Sequence, residues 1–378
     1  MAVLGRSSLP CFAARALSRA AGAEPFRRAF PASRTGAGLP YTGSMSATFA
    51  ASDAVELAVL ERNGFIESRH VGSAVVLSGD GSVVTALGDI TTPVFPRSSL
   101  KPFQAVATMQ AGVPLRGPQV ALAAASHIGA KEHTDVVRGM LQAAGVTEED
   151  LQCPADWPQD EQARTELIRA GKGKQRIAFN CSGKHAAFLW ACTENGWDTR
   201  TYLDPSHPLQ QGIARVFEDF CEEKPAHWAI DGCGAPLAAV SLTGLARGIG
   251  KLAKAPSDKL GDARAATVAT AMLDYPWAVH GAGKENSVVM EDLGIIAKSG
   301  AEGVLVLGTD TGVSVALKML DGNGRAATLV GLTLLAASGA IDPEGVFKVL
   351  AKTVPPVLGG GEPVGSLRLA APVTALLD

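Results

Sequence analysis

The chain has 378 residues, 47% of them hydrophobic and 19% charged, which is enough apolar material for a sizeable core in one or two domains. A net charge of −3 carries no footprint of a polyanion partner, so neither nucleic acid nor a membrane surface is expected. Six cysteines (Cys11, Cys153, Cys181, Cys192, Cys221 and Cys233) form no C-x-x-C pair and are too sparse for a disulfide scaffold, which fits a reducing compartment.

Residues 1–50 stand apart. They hold six arginines, no lysine and one acid, Glu24, among alanine, serine, glycine and proline. That Arg-rich, acid-poor composition is expected of an organelle transit peptide, for mitochondrion or plastid; without such an address the expected place is the cytoplasm. Residues 51–378 are read as one catalytic domain.

From Val55, "VELAVLERNGFIESRHVGSAVVLSGDGSVVTALGD" reads as three strands, with turns at Asn63-Gly64 and at Gly79-Asp80-Gly81. "RSSLKPFQAVATMQAG" follows as a helix, since Pro102 is tolerated in a first turn. Further helices are expected in "PQVALAAAS", "KEHTDVVRGMLQAAG", "DEQARTELIRAG" and "GKHAAFLWACTENG", and another after "DPSHPL". "HWAIDGCGAP" reads as a short buried strand running into a turn. After an alanine-rich helix near 262–273, "GIIAKSG", "GVLVLGTD" and "GVSVALKMLDGNGRAATL" resume strand character before a closing helix. The longest apolar run, around 326–340, is too short to span a bilayer. Strands at both chain ends with helices between them predict an α+β fold, a mixed sheet built from both ends carrying a helical subdomain.

Ser98 and Lys101 lie three apart at a helix start, hence on one face, and Lys298-Ser299-Gly300 returns late in the sheet region. S-x-x-K followed by K-[ST]-G resembles the penicillin-recognising serine hydrolases. A serine hydroxyl needs a base, and a lysine that is desolvated or crowded by a second cation can supply one. Ser126, in "AAASHIGAKEH", reads either as a helix N-cap or as a proton relay between the two halves of such a site. "FNCSGKHAAF" crowds Cys181, Lys184 and His185, and "IDGCGAP" sets Asp231 and Cys233 among glycines. Alone, each thiol fits an inert core residue and Asp231 an Asx turn; Cys-x-x-Lys lacks the ordinary zinc-ligand types.

Together, "PRSSLKPFQA", "ASH", "NCSGKHAAF", "IDGCGAP" and 298–303 resemble the asparaginase family typified by the rhizobial inducible L-asparaginase. The resemblance runs from about Val55 to the C-terminus and includes "GGGEPVGSLR". It implies a fold like serine β-lactamases and glutaminases, and hydrolysis of L-asparagine to L-aspartate and ammonia. It further implies two Ser–Lys pairs, Ser98 with Lys101 and Ser126 with Lys298, with Ser98 as nucleophile. Arg97 would take the substrate α-carboxylate and Asp231 its α-ammonium, with His185 close by. Cys181, Lys184 and Cys233 would hold a zinc ion that is not directly catalytic, and the protein would be a homodimer. The rival expectations are a glutaminase or β-lactamase-like serine hydrolase on the same scaffold, and a non-catalytic protein that binds zinc and an amino acid.

Overall fold

The computed structural model describes residues 47–377, so the arginine-rich segment falls outside the described residues except for its last four positions. Phe49 is buried in the core, which places the start of the packed chain just ahead of residue 51. The three strands expected first are present: β1 (Val55–Arg62), β2 (Phe65–Leu77) and β3 (Val83–Leu87). Asn63 and Gly64 make the β1–β2 turn with positive φ at both, the geometry that favours an Asn-Gly pair.

A separate two-stranded hairpin, β4 (His227–Ile230) and β5 (Pro236–Ala239), carries the Asp231–Gly234 turn at its tip. The sequence predicts a buried β4. The strand is half-exposed instead, with Ile230 79% exposed, because the hairpin stands outside the main sheet.

The late strands are β6 (Ile296–Gly300), β7 (Val304–Gly308), β8 (Ser314–Met319), β9 (Val357–Gly359) and β10 (Glu362–Leu369). They join the early ones in one eight-stranded sheet of order β6-β7-β8-β2-β1-β10-β9, with β3 also paired to β2. The expected assembly of the sheet from both chain ends is therefore present. Every pairing in it is antiparallel rather than mixed.

β7 and β8 are buried along their whole length, because helices cover both faces. Gly331 of helix Ala327–Ala337 sits on Leu305, Leu307 and Leu317, while on the other face Gly308 meets Ile249 and Ala253 of helix Leu242–Lys254. Apart from helix Pro343–Thr353 after β8 and the short helix Ala371–Thr374 after β10, the remaining α-helices lie between β3 and β6 and make the helical subdomain. Among the described residues no helix is long and apolar enough to cross a membrane, and the five described cysteines are free and buried.

Two features position the site. β6 is the terminal strand of the sheet, so one of its edges is open to other segments. Gly300 on that strand lies so close to the Pro96 carbonyl that a Cβ would collide with it, which seats the turn Arg97–Leu100 against the strand.

Candidate active site

Ser98 occupies a 3-10 turn, Arg97–Leu100, that leads directly into helix Lys101–Gln110. Ser126 follows helix Pro118–Ala123 on an extended segment whose amide donates to the Val279 carbonyl (2.9 Å). Lys298 comes from the middle of β6. The fold thus collects three segments far apart in sequence.

Lys101 and Lys298 are 1% and 0% exposed, and both reach the same atom. Lys101 Nζ lies 2.9 Å from Ser126 Oγ and 2.6 Å from the Ala125 carbonyl oxygen. Lys298 Nζ lies 2.9 Å from Ser126 Oγ and 2.8 Å from the Ser299 carbonyl oxygen. Burial and the neighbouring Lys101 charge push the Lys298 pKa well below that of an ordinary lysine. A neutral Lys298 amine has a lone pair for the Ser126 hydroxyl proton while still donating to Ser299. The expected pairing of Lys101 with Ser98 is not formed: the hydrogen bonds of Lys101 Nζ go to Ala125 and Ser126. Ser98 is half-buried on the same turn, its carbonyl receiving the Lys101 amide.

Arg97 and Asp231 meet directly, Nε to Oδ1 at 2.7 Å, rather than standing apart. The guanidinium lies over Gly232, where a Cβ would sit 3.7 Å from Nη2. Glu302 faces Arg97 Nη1 at 3.6 Å from the more exposed side. Arg97 and Glu302 both hold positive φ (53° and 60°), a left-handed conformation that costs a non-glycine residue about 1–3 kcal/mol and fixes where each side chain starts. The pair offers a cation edge and a carboxylate oxygen side by side, the complement of a zwitterionic amino acid.

Behind Asp231 is a buried sulfur–nitrogen cluster. Lys184 Nζ lies 3.0 Å from Cys233 Sγ, and Cys181, at the N-terminus of helix Ser182–Asn195, reaches Cys233 and, at 3.0 Å, Asn180 Oδ1. The hydrogen bond from Cys181 and the Lys184 charge hold the Cys233 pKa far below an ordinary thiol. Burial alone would lower the Lys184 pKa, but the adjacent cysteines raise it above the ordinary value. His185 is fully buried and bonded through Nδ1 to the Tyr202 hydroxyl (2.7 Å); burial lowers its pKa. Its Nε2 is buried without a hydrogen-bond partner among the described residues.

Cys181 and Cys233 offer two soft sulfur donors and Lys184 a nitrogen, donor types that zinc accepts once they are deprotonated. Among the described residues there is no group of three or more His, Cys, Asp or Glu side chains gathered as a metal site, so the fit depends on Lys184 as a donor. An ammonium cannot ligate. Binding there requires the loss of the Lys184 proton.

Two residues in contact with this constellation carry no motif. Asn286, on helix Glu285–Leu293, bonds both the amide and the hydroxyl of Ser299. His280 has a buried Nδ1 without a partner among the described residues, and burial above all, with lysines nearby, holds its pKa down to about 4. A single asparagine in "GKENSVV" offers no signal before the helix is seen to lie on β6.

The model of the L-asparaginase II family matches residues 58–369. The chain belongs to the L-asparaginase II family. It is accordingly an amidohydrolase by class. No curated protein matches the chain. Among solved structures, it is similar to a putative β-lactamase from Bacteroides dorei at 15% identity, over 65% of this chain and 84% of that one, with a TM-score of 0.37. A β-lactamase from Mycobacterium bovis matches at 14% identity, over 74% and 94%, with a TM-score of 0.35. Mglu in its glutamate form matches at 15% identity, over 71% of this chain and 61% of that one, also with a TM-score of 0.35.

Proposed function

We propose that this member of the family is an L-asparaginase, hydrolysing the side-chain amide of L-asparagine to L-aspartate and ammonia with a lysine-activated serine. The observation that carries the reading is the convergence of Lys101 and Lys298 on Ser126 Oγ, with one of those lysines held below its ordinary pKa.

The geometry favours Ser126 as nucleophile and Lys298 as its base. Lys298 Nζ takes the hydroxyl proton as Ser126 Oγ bonds to the amide carbon. The C–N bond then breaks, and the Lys298 ammonium returns the proton to the departing ammonia. In the second half, Lys298 deprotonates a water that attacks the aspartyl ester, and Ser126 recovers its proton as the ester bond breaks. Lys101 holds the oxygen in line from the other side. The Ser98 amide, at the start of its turn, is the proposed donor to the oxyanion.

In a second reading Ser98 attacks and the Lys101–Ser126–Lys298 chain relays its proton. What supports that alternative is the place of Ser98 on the turn leading into Lys101, as a residue less buried than either lysine.

The Nη groups of Arg97 and Oδ2 of Asp231, which Cys233 Sγ approaches at 3.8 Å, would receive the α-carboxylate and α-ammonium. Cys181, Lys184 and Cys233 would hold zinc, with His185 Nε2 beside them; when bound, the metal would supply structural order behind Asp231. A homodimer and organelle delivery by residues 1–50 belong to the same proposal. The test is ammonia release from L-asparagine, with L-glutamine, a penicillin substrate and amino-acid binding without turnover as the alternatives.

A further inference from the structure

β6 ends the sheet, so its outward backbone groups have no strand to pair with. At Ser299 those groups are met by side chains. The Ser299 amide donates to Asn286 Oδ1 (3.2 Å), Asn286 Nδ2 donates to Ser299 Oγ (2.9 Å), and the Ser299 carbonyl receives Lys298 Nζ (2.8 Å). Because the backbone amide can only donate, the orientation of the carboxamide is fixed. Asn286 is itself buried, 1% exposed, near the start of helix Glu285–Leu293, which packs on β6.

We propose that Asn286 is a positioning residue: by gripping Ser299 at two points it aims the Ser299 carbonyl that keeps Lys298 Nζ on Ser126 Oγ. A single hydrogen bond to the amide would cover the strand edge and leave the Ser299 side chain and Cα free to turn about it. Bonds to both the Ser299 N–H and its side chain hold the residue on either side of its Cα, and the carbonyl that receives Lys298 Nζ projects from that held Cα. Asn286 touches neither Arg97 nor Asp231, so its contribution falls on the reacting groups rather than on substrate affinity. The inference rests on the Ser–Lys reading for its catalytic meaning, but not for the clamp itself.

Asn286→Asp and Asn286→Leu separate the possibilities. The aspartate keeps both contacts, since the Ser299 hydroxyl can turn to donate, and adds a negative charge beside Lys298. The leucine removes both contacts. The groups already acting on Lys298 are Lys101 from helix Lys101–Gln110, Cys181 from the start of helix Ser182–Asn195, and His280 from the segment before Asn286; neither substitution alters them.

The experiment is a titration of the full-length protein labelled with 13C at lysine Cε, the Lys298 signal being assigned with Lys298→Met. It is run beside pH profiles of ammonia release from L-asparagine. Asn286→Asp should raise the Lys298 midpoint by about one pH unit, which is tenfold in protonation, and move the acid limb of kcat by the same amount with KM little changed. Asn286→Leu should lower kcat tenfold or more at every pH and also displace the midpoint. If both variants keep the wild-type midpoint and pH profile and lose only thermal stability, Asn286 merely covers a strand edge and the proposal is overturned. If the midpoint moves but Lys298→Met retains wild-type turnover, the clamp stands and the Ser–Lys reading falls. Should one variant fail to fold, the midpoint and pH profile of the other decide between the same outcomes.

Discussion

Lys101 and Lys298 share one hydrogen-bond partner: each Nζ lies 2.9 Å from Ser126 Oγ, although the two residues are 197 positions apart (298 − 101). Two buried ammonium groups on one oxygen repel each other, and the cheapest relief is for one to lose its proton. Lys298 is the one held low, and in the proposed mechanism it is the base and Ser126 the group it serves.

That arrangement has a signature in stability as well as in rate. A lysine neutral in the fold but protonated in the unfolded chain makes unfolding take up a proton. The stability contributed at this site therefore rises with pH, from the depressed Lys298 value up to the ordinary lysine value near ~10.4. Lys298→Met should abolish turnover, by ~100-fold or more, and should flatten the rise of Tm with pH over that window. Paired thermal melts from pH 6 to 10 check it; parallel curves for variant and wild type would mean that Lys298 is charged in the fold.

Arg97 is held by Asp231 on one edge and faces Glu302 on another. Arg97→Lys loses the planar fork and cannot keep the Asp231 contact while presenting a second edge. KM for L-asparagine should rise about 10–100-fold, equivalent to ~1.4–2.7 kcal/mol, with kcat less affected. Steady-state kinetics decide this, and an unchanged KM removes Arg97 from substrate binding.

Gly300→Ala tests the seating of the Ser98 turn. The added Cβ meets the Pro96 carbonyl, a backbone atom that cannot swing aside. Overpacking of this kind costs ~1–3 kcal/mol, and it pushes the turn carrying Arg97 and Ser98 off β6. A lowered Tm with reduced activity is the expected result; wild-type values in both would mean that the turn adjusts freely.

Cys233→Ser breaks the buried Lys184–Cys233 pair, leaving an ammonium without its thiolate at a cost of about 3 kcal/mol. Zinc content measured by atomic emission should fall below that of the wild type. Equal stoichiometry in the two proteins would take the metal away from this cluster.

Local signals made much of the fold legible. Alternating apolar residues and the Asn63–Gly64 turn mark β1 and β2 directly, and Gly196, with φ 65°, ends helix Ser182–Asn195 as a glycine should. Helix Leu242–Lys254 is hidden in the sequence, because three glycines argue against a helix by propensity. Packing explains them: a Cβ on Gly248 would sit 3.0 Å from the Phe103 ring, and one on Gly250 2.6 Å from the Gly312 carbonyl. The hairpin of β9 and β10 is hidden for a related reason. Its Gly- and Pro-containing stretch becomes a strand only by pairing with β1, where Arg368 lies opposite Val59.

The site was legible as a set of residues more than as a set of contacts. Spacing puts Ser98 and Lys101 on one face, yet it says nothing of Ser126, which tertiary folding brings within reach of Lys101 instead. The Arg97–Asp231 pair and the Asn286–Ser299 clamp are likewise long-range, with no local pattern to announce them.

The most direct test of the account is ammonia release from L-asparagine by the full-length protein and by its Ser126→Ala and Lys298→Met variants. The account predicts steady release by the wild type, with both variants reduced ~100-fold or more while remaining folded. Release undiminished in both variants, or none from the folded, zinc-supplemented wild type, would contradict it.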